Sequence, residues 1–389
     1  MKILVNATTI VVGGGIQNVY SLLNEALNDS SQHEWHLALS DRVEAELRRT
    51  HPLAADKAHV FTSTPAHDRV ARRQLQSLEA ELRPNCVFTY NGPAYVRFRA
   101  PHLLGFATPW VTHASWLAYR TTRFPRQWIE TAISSRYKAH WFRFAEAWVT
   151  ETDVSKFGLV RRLGIDPTKV YVVPNSCGPL YFANQRERPF PRPGSKVRLL
   201  CFAAPYRQKR IEFLPDVAKQ LSLRNPELDF EFVITLPEDC QLLHDVLQRA
   251  EALDVLPRIT NQGRIPVADG PKLYDTCDIC FMPTVLETFS ATYPEAMAMG
   301  LPIVTSNLEF ASDVCHDAAL YFKPNNAASA ADCILGLLRD ETQWRSLVAK
   351  GKSVLQGLPT PRQKYDAYLR MLCELVDGKQ AREPAMSQA

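Results

Sequence analysis

The chain has 389 residues, of which 46% are hydrophobic and 22% are charged, and its formal net charge is +4. This length exceeds one compact domain and fits two domains of ordinary size. The weak positive charge excludes a dedicated nucleic-acid binder, whereas an anionic substrate or an anionic membrane surface stays open.

The first half of the chain alternates short β-type runs with helical patterns, which predicts a parallel sheet with crossover helices. Its N-terminus, MKILVNATTIVVGGG, lacks a long apolar core and a small-residue cleavage site. We therefore expect a first strand that runs into a glycine turn rather than a signal peptide. The predicted strands are 2–6, 35–40, 86–90, 102–107, 147–151 and 170–174.

Two of these strands end in candidate ligand contacts. Gly13 to Gly15 follow the first strand, where they make a bare turn or let the backbone approach a ligand closely. They are not a dinucleotide fingerprint because position 18 is Asn, and no Walker lysine follows. The stretch YNGPAY places Asn91 and Gly92 at another strand end, where they contact a ligand or form a turn.

Residues 119–144 carry six Arg or Lys against one acidic residue, Glu130, and include seven aromatic residues. A solvated helical face with an aromatic side toward the core is the simplest interpretation. The same composition suits an element that lies on anionic lipid, with Trp128, Trp141 and Phe142 at the headgroup boundary. RNA fits less well because no RNA-binding motif accompanies the basic residues.

The Pro-rich, charged stretch 184–196 predicts a linker between an N-terminal domain, 1–183, and a C-terminal domain, 197–360. Strands in the second half are predicted at 197–203, 230–235, 279–283 and 302–306. A final amphipathic helix, 361–378, precedes a tail, 379–389, that we expect to be disordered. Two domains of this kind form a cleft at the carboxyl ends of their strands, where ligands bind.

The nine cysteines lie mostly in apolar runs, which is typical of buried thiols in a reduced, intracellular protein. One C-x-x-C, Cys277 to Cys280, has no second pair to complete a structural zinc site. No apolar run approaches the roughly 20 residues of a membrane span. The sequence therefore predicts a cytoplasmic protein.

The stretch VLETFSATYPEAMAMG places Glu287 and Glu295 eight residues apart. Its segment TYPE predicts a capping box, with Thr292 as the N-cap and Glu295 reaching back to the Thr292 amide. A capping box does not explain Glu287 at a strand end, nor the amides of residues 288–290 ahead of a helix N-terminus, which suit a phosphate. Spacing and helix-start chemistry leave a cap and a ligand site equally open.

Four stretches in the same order resemble family-four retaining glycosyltransferases with the GT-B fold. NATTIVVGGGIQNVYSLLNEAL is similar to the opening strand, Gly-rich loop and helix of that family, and VTETDVSKFGLVRRLGIDPTKVYVVPNSCG to the end of its N-terminal domain. GRIPVADGPKLYDTCDICFMPT is similar to the approach to the carboxylates, and PTVLETFSATYPEAMAMGLPIVTSN to the E-x7-E segment. The resemblance covers almost the whole chain. It implies an α/β protein with two doubly wound Rossmann-like domains that face a central cleft, and a C-terminal helix that packs back toward the N-terminal domain.

The resemblance also implies a role for each residue of the E-x7-E segment. Glu287 would orient the donor sugar, and Glu295 would contact the ribose. The amides of Thr288, Phe289 and Ser290 would bind the diphosphate.

A basic turn follows the first strand of the second domain. Lys209 matches a phosphate-binding lysine of the family, but Ala204 stands where the family has an arginine. We expect Arg207 or Arg210 to supply that charge, with a solvated basic loop as the alternative.

The resemblance extends to the first domain. Gly14 and Gly15 would lie near the phosphates of the sugar donor or near the acceptor. Thr108 stands where the family usually has a sugar-binding histidine, and His113 follows five residues later. Together with Asn91, these residues are candidate sugar or acceptor contacts, although a lone histidine is more often structural.

We interpret the sequence as that of a metal-independent, retaining hexosyltransferase that requires no cofactor. It would transfer a sugar from a nucleotide diphosphate sugar to a lipid-linked saccharide acceptor. The reaction would belong to surface polysaccharide or lipopolysaccharide biosynthesis and take place at the inner face of the membrane. Lys209 and the loop amides would stabilise the departing diphosphate. A nucleotide-sugar epimerase on the same fold and a non-catalytic nucleotide-sugar-binding subunit are the alternatives.

Overall fold

The computed structural model describes residues 1–11, 13–30, 33–122 and 125–380. The chain forms two compact units. Unit 1 comprises residues 1–113, 129–175 and the chain from Pro359 onward, and unit 2 comprises residues 114–128 and 176–358. Most of the tail predicted at 379–389 lies outside the described residues.

Unit 1 contains a sheet of seven strands, all of whose neighbouring pairs are parallel. The elements up to residue 175 are β1 (Lys2–Ala7), α1 (Gly14–Asn28), β2 (Glu34–Ser40), α2 (Asp41–Arg48), α3 (Pro52–Asp56), β3 (His59–Phe61), α4 (Arg69–Leu82), β4 (Cys86–Thr89), β5 (His102–Phe106), α5 (Pro109–Thr112), α6 (Trp116–Tyr119), α7 (Arg126–Trp141), β6 (Ala147–Thr150), α8 (Asp153–Leu163) and β7 (Val170–Val172).

The strand order of this sheet is β3-β2-β1-β4-β5-β6-β7. Successive side chains of β1 enter different apolar clusters: Ile3 and Val5 join one, and Leu4 joins another. Because neighbouring side chains of a strand point to opposite faces, both faces of this sheet are covered, as in a doubly wound fold.

Unit 2 contains a parallel sheet of six strands in the order β10-β9-β8-β11-β12-β13. The remaining elements are α9 (Pro179–Ala183), β8 (Val197–Cys201), α10 (Leu214–Arg224), β9 (Phe230–Ile234), α11 (Gln241–Ala252), β10 (Ile259–Asn261), α12 (Gly270–Asp275), β11 (Ile279–Met282), α13 (Thr292–Ala298), β12 (Ile303–Ser306), α14 (Glu309–Cys315), β13 (Ala319–Phe322), α15 (Ala327–Leu337), α16 (Glu341–Gly357) and α17 (Pro361–Gln380).

Both sheets share one pattern: three strands run outward in one direction, and the chain then returns to the centre and continues in the other. This is the Rossmann strand order, and it reverses between β1 and β4 in unit 1 and between β8 and β11 in unit 2. The predicted α/β class with two Rossmann-like domains is therefore confirmed.

Three strands of the structure were not predicted from the sequence, namely β3, β10 and β13. Each has only three or four residues and lies at the edge of its sheet. An edge strand pairs on one side alone, so it needs neither the length nor the continuous apolar run of a central strand.

The C-terminal helix α17 belongs to unit 1. Tyr365, Tyr368 and Leu372 join the apolar cluster that contains Ile3, and the ring of Tyr368 lies 5.1 Å from that of Phe88. The helix therefore completes the core of the N-terminal sheet, as the resemblance implied.

The stretch predicted as a linker, 184–196, contains no helix or strand and groups with unit 2. The amide of Arg186 donates to the Ala298 carbonyl at 3.0 Å. Gly300, with φ of 70°, passes so close that a Cβ atom there would lie 2.7 Å from the Arg186 carbonyl oxygen. This stretch is therefore held against the end of α13.

Candidate functional site

The centre of the candidate site is the point in unit 2 where the strand order reverses. Ile279 of β11 lies beside Leu199 of β8 in parallel register. The loops that follow these strands therefore leave the same edge of the sheet, which is where open α/β sheets bind ligands. The first loop contains Lys209, and the second contains Glu287.

The two loops are joined directly. Arg207–Lys209 forms a short 3-10 turn, and the amide of Val285 donates to the carbonyl of Gln208 at 2.8 Å. The Lys209 ammonium donates a hydrogen bond to the Glu287 carboxylate. The side chain of Lys209 is 11% exposed and that of Glu287 20%, so water screens this ion pair only weakly. The structure thus brings together the two residues predicted to be catalytic.

The amides predicted to bind a diphosphate follow Glu287. Thr288, Phe289 and Ser290 are buried residues that lead into the short helix α13. In the part of the chain that the structure describes, the N–H groups of Phe289 and Ser290 donate to no acceptor. Two N–H groups without an acceptor beside an ammonium suit an anionic ligand.

The capping box predicted at the start of α13 is wrong. Ala291 occupies the N-cap position with helical dihedral angles, so the helical conformation begins before Thr292. The Thr292 hydroxyl donates instead to the Phe202 carbonyl at 3.0 Å. The Glu295 carboxylate accepts from the hydroxyl of Tyr274 at 2.9 Å. Glu295 is therefore not needed to cap the helix.

The Glu295 carboxyl lies in a setting that disfavours its charge. Burial raises its pKa from 4.5 to about 7, although the Tyr274 hydrogen bond and the nearby positive charge of Lys209 both lower it. The field of Lys209 therefore reaches both glutamates of the E-x7-E segment. Near neutral pH, Glu295 is present in both protonation states.

The arginines considered as replacements for the missing family arginine have other partners. Arg207 pairs with Asp245 on α11. Arg210 pairs with Glu212 at 2.6 Å and donates to Asn325 at 2.9 Å. These contacts do not bring either guanidinium group to the Lys209–Glu287 pair, so Lys209 is the cation that the structure places at the centre of the site.

In unit 1 the predicted glycine turn leads into α1, which begins at Gly14. Gly13 has φ of 66° and requires glycine-like freedom. A Cβ atom at Gly14 would meet no described atom within 4 Å, and one at Gly15 would lie 3.3 Å from Ile10 Cγ2. Packing within the described chain therefore does not require glycine at position 14.

The other candidate contacts of unit 1 follow β4 and β5, which are neighbours in the sheet. Asn91 has φ of 48°, and it passes so close to β5 that a Cβ atom at Gly105 would lie 2.7 Å from its amide nitrogen. Thr108 precedes α5, and His113 follows it with Nδ1 2.9 Å from the Thr112 hydroxyl. Asn91 and Thr108 thus leave the same edge of the sheet as the glycine turn.

A polar network that sequence reasoning missed is buried at the carboxyl ends of β4, β6 and β7. The Lys364 ammonium donates to the Asn175 side chain and lies 3.3 Å from the Tyr90 hydroxyl, and Asn175 donates in turn to the Glu151 carboxylate. Burial lowers the pKa of Lys364 to about 8, while the charge of Glu151 raises it. No local pattern reveals this network, because Lys364 follows Asn175 by 189 residues.

The structure corrects the anchors proposed for the basic segment 119–144. Phe142 is fully buried, and its ring lies 4.6 Å from that of Phe106. Trp141 packs on Tyr95 with ring centroids 6.3 Å apart, and its indole nitrogen is buried. Phe142 therefore belongs to the core of unit 1 and is wrong as a membrane anchor.

Other side chains of α7 are exposed instead. Ile129, Ile133 and Tyr137 are 48%, 64% and 41% exposed, and their four-residue spacing puts them on one face of the helix. Across the described ranges, no helix is long and apolar enough to cross a bilayer. Nor do these ranges contain a group of three or more His, Cys, Asp or Glu placed to hold a metal ion.

Comparison with known proteins fits this geometry. Residues 196–340 match the family model described as Glycosyl transferases group 1. The O-antigen chain mannosyltransferase B of Escherichia coli is 34% identical over 85 residues, which span 22% of this chain and 22% of that protein.

Solved structures of low sequence identity share the fold. A glycosyltransferase from Rickettsia africae has a TM-score of 0.69 and 17% identity, over 96% of this chain and 98% of that one. Anabaena HepE, solved with UDP and glucose, has a TM-score of 0.65 and 16% identity, over 96% and 100% of the two chains. Sucrose-phosphate synthase from Thermosynechococcus elongatus has a TM-score of 0.66 and 17% identity, over 99% of each chain.

The fold and the loops at the strand reversal of unit 2 define a protein of the GT-B class. The family match lies on the sheet that carries Lys209, Glu287 and Glu295. The resemblance predicted from the sequence is thereby confirmed: residues 196–340 match the Glycosyl transferases group 1 model, and the fold is that of GT-B glycosyltransferases.

Proposed function

We propose that the protein transfers a sugar from a nucleotide diphosphate sugar to a saccharide acceptor and retains the configuration of the anomeric carbon. One observation supports this most: Lys209 bonds to Glu287 beside the N–H groups of Phe289 and Ser290, where the strand order of a glycosyl transferases group 1 domain reverses.

In this proposal the positively charged and N–H groups bind the diphosphate, and the carboxylates bind the two sugar rings. Lys209 and the two amides stabilise the negative charge that develops on the departing diphosphate. Glu287 holds hydroxyls of the donor sugar on the other side of the phosphates, and Glu295 accepts hydrogen bonds from the ribose. No side chain is assigned as a covalent nucleophile. The acceptor hydroxyl attacks the anomeric carbon from the face that the diphosphate leaves, the bond from that carbon to the diphosphate oxygen breaks, and the hydroxyl proton passes to the departing diphosphate.

We further propose that no metal or cofactor takes part. An ammonium and backbone N–H groups supply the positive field that a divalent cation would otherwise provide at the diphosphate. Turnover is therefore expected to survive EDTA. A strict requirement for added Mg²⁺ or Mn²⁺ would overturn this part of the proposal.

The acceptor is proposed to be a lipid-linked saccharide that the protein reaches from the cytoplasmic face of a membrane. The similarity to an O-antigen chain mannosyltransferase supports a role in lipopolysaccharide or another surface polysaccharide. The exposed stripe of Ile129, Ile133 and Tyr137, with the basic residue Arg136 beside it, supports peripheral binding to anionic lipid.

The test begins with purified protein and UDP-, GDP-, dTDP- and ADP-sugars. A sugar nucleotide that binds the folded state should raise the melting temperature by mass action. The stabilising compound is then incubated with saccharide acceptors, and the new anomeric configuration is read by NMR. Isomerisation of the sugar without an acceptor would indicate an epimerase, and binding with neither transfer nor hydrolysis would indicate a binding subunit.

A further inference from the structure

Tyr274 lies in the last turn of α12, shortly before the strand β11 that leads to the E-x7-E segment, and it is fully buried. Its ring packs edge-on against Tyr181 and Phe202, with centroids 5.4 and 5.8 Å away. Gly270, on the same helix, lets Tyr181 approach, since a Cβ atom there would lie 2.1 Å from the Tyr181 hydroxyl oxygen. The Tyr274 phenol is therefore held in one place by aromatic packing.

This phenol donates to Oε2 of Glu295 at 2.9 Å. Among the described residues no donor bonds to the other oxygen, Oε1. A carboxylate accepts through both oxygens, so one remains for a ligand. The hydrogen bond thus fixes the direction in which Oε1 points.

We propose that Tyr274 is a positioning residue for the sugar donor: it holds Oε2 of Glu295 so that Oε1 accepts from the ribose hydroxyls. This inference rests on the proposed function, which assigns the ribose contact to Glu295. Tyr274 itself touches no substrate in this arrangement.

The titration of Glu295 reflects groups from several elements packed around it. Lys209 follows β8, Cys280 lies on β11, and the segment that enters unit 2 supplies two more groups. The groups that act on Glu295, or whose own ionisation its charge opposes, are Lys209, Tyr274, Cys177, Tyr181 and Cys280. Of these, Lys209 and Tyr274 favour the ionised carboxylate, so loss of the Tyr274 hydroxyl should raise the pKa of Glu295 above its value of about 7.

The test compares Tyr274→Phe with the wild-type protein by calorimetric titration with UDP, GDP, dTDP and ADP from pH 6 to 9. For the nucleotide that binds, wild-type affinity should fall as the pH drops through about 7, where Glu295 becomes protonated. In Tyr274→Phe the midpoint of this pH-dependent change in nucleotide affinity should move to higher pH. Affinity at pH 7 should fall about tenfold and recover toward pH 9, and KM for the sugar donor should rise while kcat changes little.

Tyr293→Phe is the matched control. Tyr293 is also fully buried, but its hydroxyl bonds to the Thr305 hydroxyl at 2.8 Å, whereas that of Tyr274 bonds to Glu295. Its removal should leave the pH midpoint unchanged. A midpoint that stays in place in Tyr274→Phe, or an equal loss of affinity at every pH in both variants, would overturn the positioning role.

Glu295→Gln separates this inference from the proposed function. If Glu295→Gln binds nucleotide like the wild type, the ribose contact itself is absent and the proposed role of Glu295 fails. If Glu295→Gln binds weakly while Tyr274→Phe keeps the wild-type profile, only the inference about Tyr274 fails. Should Tyr274→Phe not fold, 3-fluorotyrosine in place of Tyr274 supplies a more acidic donor and should move the midpoint to lower pH.

Discussion

Lys209 and Glu287, 78 residues apart in the chain, form an ion pair across the loops that follow two neighbouring strands. In the proposed site the lysine binds the diphosphate and the glutamate binds the sugar. Before the sugar donor binds, the two side chains are paired with each other instead. Binding of the donor must therefore exchange a carboxylate for a phosphate as the partner of the ammonium. The energetic consequences of this exchange can be measured.

Glu287→Ala should lose turnover, but its affinity for nucleotide diphosphate should not fall. Removal of the carboxylate leaves the Lys209 ammonium without its partner, so a phosphate no longer has to displace that carboxylate. Calorimetry with the nucleotide diphosphate and initial-rate measurements test both statements, with Glu287→Gln as an isosteric control. A tenfold weaker affinity in Glu287→Ala would mean that Glu287 binds more than the sugar.

Lys209→Ala should reduce kcat by about 100- to 1,000-fold, the usual effect of removing one donor that stabilises charge in the transition state. Arg207→Ala and Arg210→Ala should reduce kcat much less, because both guanidinium groups pair with acidic residues elsewhere. Steady-state kinetics of the three variants show which of the three cations contributes most to kcat. Greater damage in either arginine variant would show that the phosphate-binding cation has been assigned to the wrong residue.

The stability of unit 2 should fall as the pH rises from about 4.5 to about 7. The folded-state pKa of Glu295, about 7, is higher than the ordinary value of 4.5, so the folded protein binds more protons than the unfolded chain in this window. Glu295→Gln removes this term and should flatten the pH dependence by about 1–3 kcal/mol between pH 5 and pH 8. Urea unfolding at the two pH values measures the difference, and parallel profiles for the two proteins would contradict it.

Lys364→Met should destabilise unit 1 by about 3–5 kcal/mol, because it removes the ammonium from the buried network that also contains Asn175 and Glu151. The double variant Lys364→Met with Glu151→Gln should recover much of that loss, since it removes the negative charge together with the positive one. Thermal unfolding of the two single variants and the double variant gives the coupling free energy. Additive losses would show that Lys364 and Glu151 act independently.

Ile129→Asn combined with Ile133→Asn should weaken sedimentation with anionic vesicles at low salt, because both side chains are exposed on one face of α7. Leu53→Asn is the control, since Leu53 is 78% exposed in the same unit but lies on another helix. Hydrolysis of the soluble sugar donor should not change in any of these variants. Vesicle binding that does not depend on Ile129 and Ile133 would leave α7 an ordinary surface helix.

The central strands of both sheets could be predicted from the sequence because most of their residues are apolar and buried. Of the four edge strands, β7 was predicted and β3, β10 and β13 were not. The strands β3, β10 and β13 have only three or four residues each, which is too short a run for a period to be read.

The parts of the candidate site that depend on local sequence could likewise be predicted, whereas contacts between distant residues could not. Lys209 and Glu287 could be proposed from motifs. Their ion pair joins the loops that follow two neighbouring strands, and the sequence alone does not show that these strands are neighbours. The capping box was wrong because a local sequence rule paired Thr292 with Glu295. In the structure Thr292 bonds to Phe202 and Glu295 bonds to Tyr274. Tyr274 was missed because its partner lies 21 residues away on another helix.

The place of α17 in unit 1 has a consequence for synthesis on the ribosome. The core around β1 requires Tyr365, Tyr368 and Leu372, yet residues 176–358 are translated before them. At roughly 5–20 residues per second this interval lasts on the order of 10–40 s. Throughout that time the nascent N-terminal sheet has an incompletely covered apolar face that chaperones and neighbouring chains can contact, while the contiguous sheet of unit 2 is free to fold first.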